Sequence, residues 1–522
     1  MARNKASHST ETDTASPNTA SPKRRGRRLG QRTTTRDVDY ATLISTLPLA
    51  TAFSEDEVSA IHNAALDVLE RIGVRILHDG ARRILASAGA LIDADQVRIG
   101  PDLVDAATRT APGQFTLTGP ARTLTIGGRS TQFLPVGGPA HASDLTRGRR
   151  PGTFQDFRHF IRLAQSFDVL HMTGPSVEPQ DVPTTIRHLK MMRVQLLDAD
   201  KPTFVYARGA AQVADSFEML RLRMSLDDAQ FRARPLCFTV INTNSPLNLD
   251  LPMCQGLIDF AEAGQIVIVT PFTLAGAMAP VTIAGALVQQ HAEFLAALTL
   301  SQTVRAGAPV VYGGFTSNVD MRSGAPAFGT PEYVRAAWGT GQLARRLGLP
   351  WRSSGSCVSN TPDAQAVWET QMALWGALTG GANLVLHSAG WLEGGLTASY
   401  EKFVLDVEQL QHLAELMQPR PLLADDLALE AIAAVGPGGH YFGTPHTMAR
   451  YETAFYSPEM SDWSNYGQWK EAGALTATER AQHRWREILE AYKPPPADSS
   501  VVTALDDFVS RRIAEGGAEP LS

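Results

Sequence analysis

The chain has 522 residues, 43% of them apolar and 19% charged, with a formal net charge of −6; this fits a large folded α/β unit with additions and excludes a single minimal domain. The charge is uneven: residues 1–36 hold nine Lys and Arg against two Asp and Glu, which leaves 38 against 51, a net −13, for the remainder. An acidic body argues against nucleic-acid binding, and three cysteines (Cys237, Cys254, Cys357) with no CxxC pair argue against a disulfide framework and for a reducing cytoplasm.

Residues 1–36 show no apolar periodicity and no apolar signal-peptide core, so they are predicted to be a disordered basic leader. Residues 37–130 read as an α+β accessory region. There Ser54 and Glu57 form a capping box, and Val58, Ile61, Ala65, Val68, Leu69 and Ile72 recur with helical period. Gln114–Gly128 alternates apolar and polar residues on both sides of Gly119-Pro120, which predicts a hairpin.

From 131 to 398 the pattern changes. Eight short strand-like runs begin at Gln132, Val169, Pro202, Pro235, Gln265, Pro309, Pro350 and Ala382. Helical segments separate them, most clearly Phe154–Ala164, Ala210–Met224, Val281–Val304, Pro331–Leu347 and Pro362–Leu378. Thr330-Pro331 and Thr361-Pro362 read as matching helix starts, with the threonines as caps. The charge-free stretch Ile266–Val288 is long enough to span a bilayer, but Pro271 and Pro280 interrupt it. It is read as a buried strand, a loop and a helix start, with no membrane partner. Eight βα units predict an α/β fold, a (β/α)8 TIM barrel, with a doubly wound open sheet as the runner-up. Residues 399–522 read as a C-terminal helical extension.

In such a barrel, chemistry sits at the carboxyl ends of the strands. Those exits offer Tyr206, Arg208, Asn242, Phe272, Tyr312 and Phe315, and at the last two Ser354, Ser356, Cys357, His387, Trp391 and Glu393, followed by Tyr400. No HxH, HExxH or CxxC cluster marks a metal site, and no GxSxG, GxGxxG or GxxxxGK[ST] motif occurs. His387, Cys357 and Ser356 are the candidate catalytic side chains, with Cys357 read more as wall than as nucleophile. An aromatic lining with few charges suits a quaternary ammonium ion, held by ring faces. Tyr206, Phe272, Tyr312, Phe315, Trp391 and Tyr400 could supply these.

Several longer segments carry a resemblance. LAGAMAPVTIAGALVQQHAEFLAA with GAPVVYGG, the NTNSPL turn at Asn242, the SN-TPDAQA run and Gly439–Trp469 closely resemble the trimethylamine methyltransferase (MttB-like) family. The resemblance implies a barrel that moves a methyl group from a methylated amine to cobalamin carried by a corrinoid partner protein, with no cofactor tightly bound to this chain. Founding members of the family carry pyrrolysine in the segment like SGSCVSN, where this chain has only standard residues. Members without it resemble demethylases of quaternary amines such as glycine betaine, which agrees with the aromatic exits. For a betaine carboxylate, Arg208, Arg322, Asn242 or the N–H groups at 362–364 are the candidate anchors. The alternatives are demethylation of trimethylamine or another methylamine, a metal-assisted barrel enzyme, and a non-catalytic betaine-binding barrel. A large acidic barrel also points to a homo-oligomer.

Overall fold

The computed structural model describes residues 39–521, so the predicted basic leader lies outside the described residues. Its centre is a parallel barrel. Seven strands hydrogen-bond in sequence: β1 (Gln132–Phe133), then β3 (Thr203–Phe204), β4 (Cys237–Thr243), β5 (Ile266–Pro271), β6 (Val310–Gly313), β7 (Trp351–Ser354) and β8 (Leu384–Leu386), with β8 returning to β1. The remaining gap is closed by β2, residues 169–173. Its His171 N–H donates to Phe133 O at 2.9 Å, and its Thr173 N–H donates to Pro202 O at 3.1 Å. The eight strands are the eight runs read from the sequence, and the closed circle excludes the open sheet.

Each strand is followed by one shell helix: Phe154–Ser166, Thr184–Leu197, Ala210–Met224, Leu251–Ala263, Ile283–Val304, Pro331–Arg346, Ala364–Thr379 and Tyr400–Met417. Helix Ile283–Val304 begins inside the charge-free stretch Ile266–Val288, whose first part is β5. It is buried on nearly all sides because the accessory region packs over its outer face; His62 there meets His291, ring nitrogens 2.9 Å apart. Among the described residues no helix is long and apolar enough to cross a membrane.

One expected helix start is corrected. Thr330 does cap Pro331–Arg346, accepting from the Tyr333 N–H at 3.1 Å. In the matching segment the helix begins at Ala364, and Asp363, not Thr361, is its cap, accepting from Ala366 N–H at 3.2 Å. Ser359 decides this: its hydroxyl lies 2.9 Å from Thr361 O and 3.1 Å from Asp363 Oδ1, which folds residues 359–363 into a turn before the helix.

The predicted hairpin forms from Gln114–Thr118 and Thr123–Gly127. Leu117, Leu124 and Ile126 on one face are buried, while Thr116, Thr123 and Thr125 on the other are exposed. The buried face joins Leu134, Met172, Phe204, Phe238, Ile266, Ile268, Val311, Leu384 and Leu386 in one apolar cluster. Thr118 N–H donates to the carbonyl of Pro235, just before β4, so the hairpin plugs the amino end of the barrel. The C-terminal part adds helix Ala477–Ala491, whose Trp485 indole N–H donates to Glu401 at 3.0 Å, and helix Ser499–Ala514, tied by Arg512 to Asp215 at 2.8 Å. Between them and the barrel lies a stretch with exposed rings, among them Phe442 (84%), Phe455 (82%) and Tyr466 (73%).

Candidate active site

Successive strand residues point to opposite faces, and the apolar cluster identifies the lumen face. From it follow Tyr206 beyond Phe204, Asn242 beyond Phe238 and Val240, Thr270 and Phe272 beyond Ile268, and Gly313 and Phe315 beyond Val311. On β7, Trp351 abuts Gly380 of the shell, so Arg352 and Ser354 take the lumen face. Asn242 is exposed and marks the opening.

The rings gather around Phe315. Its centroid lies 5.1 Å from Phe272, 5.1 Å from Phe328 in a stacked pair, 5.7 Å from His387 and 6.4 Å from Trp391. His387 and Trp391 are themselves 3.8 Å apart. His387 has φ 54°, a left-handed conformation that costs a non-glycine residue about 1–2 kcal/mol. Its ring is held by a close hydrogen bond between Nδ1 and Ser354 Oγ, which in turn accepts from Ser356 Oγ at 3.0 Å. Burial, reinforced by the Arg352 charge, holds the imidazole well below its ordinary range. It is a neutral ring that does not repel a cation.

Arg352 is the residue that the sequence reading missed. It is 2% exposed, and its guanidinium carbon lies 5.3 Å from the Phe315 ring centroid. Its Nε and Nη1 have no hydrogen-bond partner, and burial lowers its pKa to about 10. The available signal was a charged residue inside a run read as a short barrel strand.

Other expected site residues lie elsewhere or are already committed. Tyr312 faces away from the lumen, opposite Val311. Its ring stacks on Phe294 at 3.9 Å, and its hydroxyl lies 2.9 Å from His291 Nδ1. Tyr400 belongs to the last shell helix and packs against Phe160 and Trp485, donating to Asp156 at 2.8 Å. Cys357 is not poised as a nucleophile: its Sγ–H donates to Trp391 O at 3.0 Å, and burial pushes the thiol up to about 11. Tyr206 faces the lumen but donates to Pro175 O at 2.8 Å. Arg208 is paired with Glu178 at 2.7 Å, a carboxylate that Arg187 also contacts at 2.6 Å. Glu393 sits at the rim, bound by Arg149 at 2.9 Å. Arg322 is exposed in a turn organised by Asp320. Among the described residues, no group of three or more His, Cys, Asp or Glu is placed to hold a metal.

Three buried carboxylates from shell helices hold the exit loops, mainly through backbone N–H groups. Glu293 accepts from Ser245 Oγ at 2.7 Å and Leu247 N–H at 2.8 Å. Glu369 accepts from Val358 and Ser359 N–H at 2.8 and 3.1 Å. Asp406 accepts from Gly390 N–H at 2.8 Å, between His387 and Trp391. Each stands in an apolar helical stripe of the sequence, which is the signal that could have found them.

The whole chain can then be compared with known proteins. The trimethylamine methyltransferase (MTTB) family profile matches residues 21–517. A glycine betaine methyltransferase of Desulfitobacterium hafniense (strain Y51) is 35% identical over 477 residues, covering 91% of this chain and 99% of that one. A trimethylamine methyltransferase MttB of D. hafniense (strain DSM 10664 / DCB-2) is 30% identical, covering 89% and 94%. The crystal structure of the Methanosarcina barkeri monomethylamine methyltransferase (MtmB) superposes over 90% of both chains with a TM-score of 0.51 at 10% identity, a likeness of fold. With the profile spanning the barrel, its accessory region and the C-terminal helices alike, this chain belongs to the trimethylamine methyltransferase family.

Proposed function

We propose that the chain transfers a methyl group from a quaternary amine of the betaine class, glycine betaine or a close analogue, to the Co(I) centre of a corrinoid protein. The observation that carries this reading is the group of rings around Phe315, with a neutral His387 among them, at the carboxyl end of the barrel. A quaternary ammonium has no N–H to donate, and ring faces hold it at about 0.5–2 kcal/mol each. The relative named for glycine betaine supports the same donor.

The chemistry asks little acid–base work of the protein. The methyl–nitrogen bond breaks with its electron pair left on nitrogen, so the leaving group is a neutral tertiary amine and no general acid is needed. The corrinoid supplies the nucleophile. The residues of this chain bind the ammonium, exclude water from it and fix its orientation. Ser354 and Asp406 serve the last task by holding the His387 ring and the loop that follows. The exposed rings between residues 418 and 475 support assembly with further copies of the chain, and three buried free thiols support a reducing compartment, the cytoplasm.

The test is to mix the protein with its corrinoid partner reduced to Co(I) and follow corrinoid methylation by absorbance. Glycine betaine or a close analogue should give methylation that depends on the protein. No transfer from any quaternary amine overturns the proposal.

A further inference from the structure

We infer that Arg352 is the anion anchor of this site, and that the methyl donor is therefore a quaternary ammonium carrying a carboxylate rather than a simple cation. The inference rests on the betaine reading above and names the residue that holds the carboxylate.

A buried charge with no partner is expensive, and proteins pair such groups or aim them at a ligand. Among the described residues the other fully buried cations are paired. Lys201 Nζ donates to Ala164 O at 2.6 Å and Phe167 O at 2.8 Å. Lys402 Nζ bonds Asp406 and, at 2.9 Å, Thr370. Arg352 Nε and Nη1 have nothing, although an arginine fork is the donor best matched to a carboxylate.

Its surroundings extend the argument. Gly313 pairs with Arg352 and follows Tyr312, the partner of Val269. Thr270, Gly313 and Arg352 therefore occupy one level on three adjacent strands. A Cβ on Gly313 would lie 2.2 Å from Thr270 Oγ1, so glycine lets that hydroxyl lean across β6 on the side of Arg352. Thr270 Oγ1 is likewise buried without a partner. Two orphaned donors thus face one level of the lumen, and the guanidinium is 5.3 Å from the ring at the centre of the aromatic group. The guanidinium and the Phe315 ring therefore lie within the span of one small zwitterion. The guanidinium keeps its charge at neutral pH, because burial lowers its pKa only to about 10.

The experiment is calorimetric titration of the full-length protein, without the corrinoid partner, by glycine betaine, choline and tetramethylammonium. The wild type should bind glycine betaine about 10- to 100-fold more tightly than the other two, the range of a charge-assisted hydrogen bond. Arg352→Gln should erase that preference while still binding choline, and Arg352→Lys should restore part of it. If R352Q does not fold, the wild-type comparison of glycine betaine with its methyl ester decides, since the ester keeps the ammonium and loses the charge. Equal affinity for all three ligands, or a preference that survives in R352Q, overturns this inference and leaves the quaternary-amine reading standing. Absence of binding to any of the three overturns both.

Discussion

The shell behind β8 and the lumen in front of β7 each bury a cation, Lys402 at 1% exposure and Arg352 at 2%. In the shell the charge is settled inside the protein. Lys402 meets Asp406 one helical turn away and Thr370 on the neighbouring helix, and Asp406 spends its other oxygen on Gly390 N–H. In the lumen Arg352 lies against a ring face, and its Nε and Nη1 have no partner. The shell is thus complete by itself and acts as a mount, fixing the loop that carries His387 and Trp391. The lumen leaves two nitrogens of the guanidinium and the Thr270 hydroxyl without a partner.

This contrast can be broken by mutation. The largest effect belongs to the shell: Lys402→Met leaves the buried Asp406 without its partner and should cost about 3–5 kcal/mol of stability, read by urea unfolding. A loss well under that range would mean that the pair is not what holds this wall. Arg352→Met should do the opposite, keeping stability or raising it by about 1–3 kcal/mol as an unsatisfied buried group is removed. A clear loss in the same unfolding experiment would show that the wild-type guanidinium is already satisfied.

Smaller effects sharpen the boundary between the two regions. Trp391→Leu should weaken quaternary ammonium binding by about 0.5–2 kcal/mol, roughly 2- to 30-fold, measured by calorimetry. Tyr312→Phe should leave that affinity unchanged and cost about 1 kcal/mol of stability through its lost hydrogen bonds; a change in ligand affinity would place Tyr312 in the site after all. The smallest effect concerns pH. His387 is held below its ordinary value of 6.5, so it is neutral on both sides of that pH and methyl transfer should show no inflection there from this group. The unfolded chain would still take up a proton near 6.5 while the folded one does not. The His387 contribution to stability is therefore full above that pH and lost as pH falls below it, a slope that His387→Asn should remove from a series of thermal melts.

Much of the fold was legible in the sequence. All eight strands appeared as short apolar runs, even β2, whose ladder is only a few hydrogen bonds long. The hairpin at Gly119-Pro120 and the capping box at Ser54 follow from local geometry, and both form. Thr361 failed as a cap because two good acceptors stand two residues apart and Ser359 favours the second. The candidate site was legible in the sequence only as a set of rings. Phe272, Phe315, His387 and Trp391 come together, whereas Tyr312 and Tyr400 pack in the shell.

The positions of the strands, most helix starts and family membership were determined by the sequence alone, because each depends on residues close together in the chain or on long matching segments. Only the tertiary structure decided which side chains share the lumen. Tyr312 and Phe315 are three residues apart and fall on opposite sides of the barrel wall, since side chains alternate along a strand and the closed barrel sets which side is inside. It also decided that Arg352 Nε and Nη1 lack a partner. A charge has a partner or lacks one according to what lies within a few ångströms in space, and around Arg352 those neighbours come from strands and loops far apart in the chain.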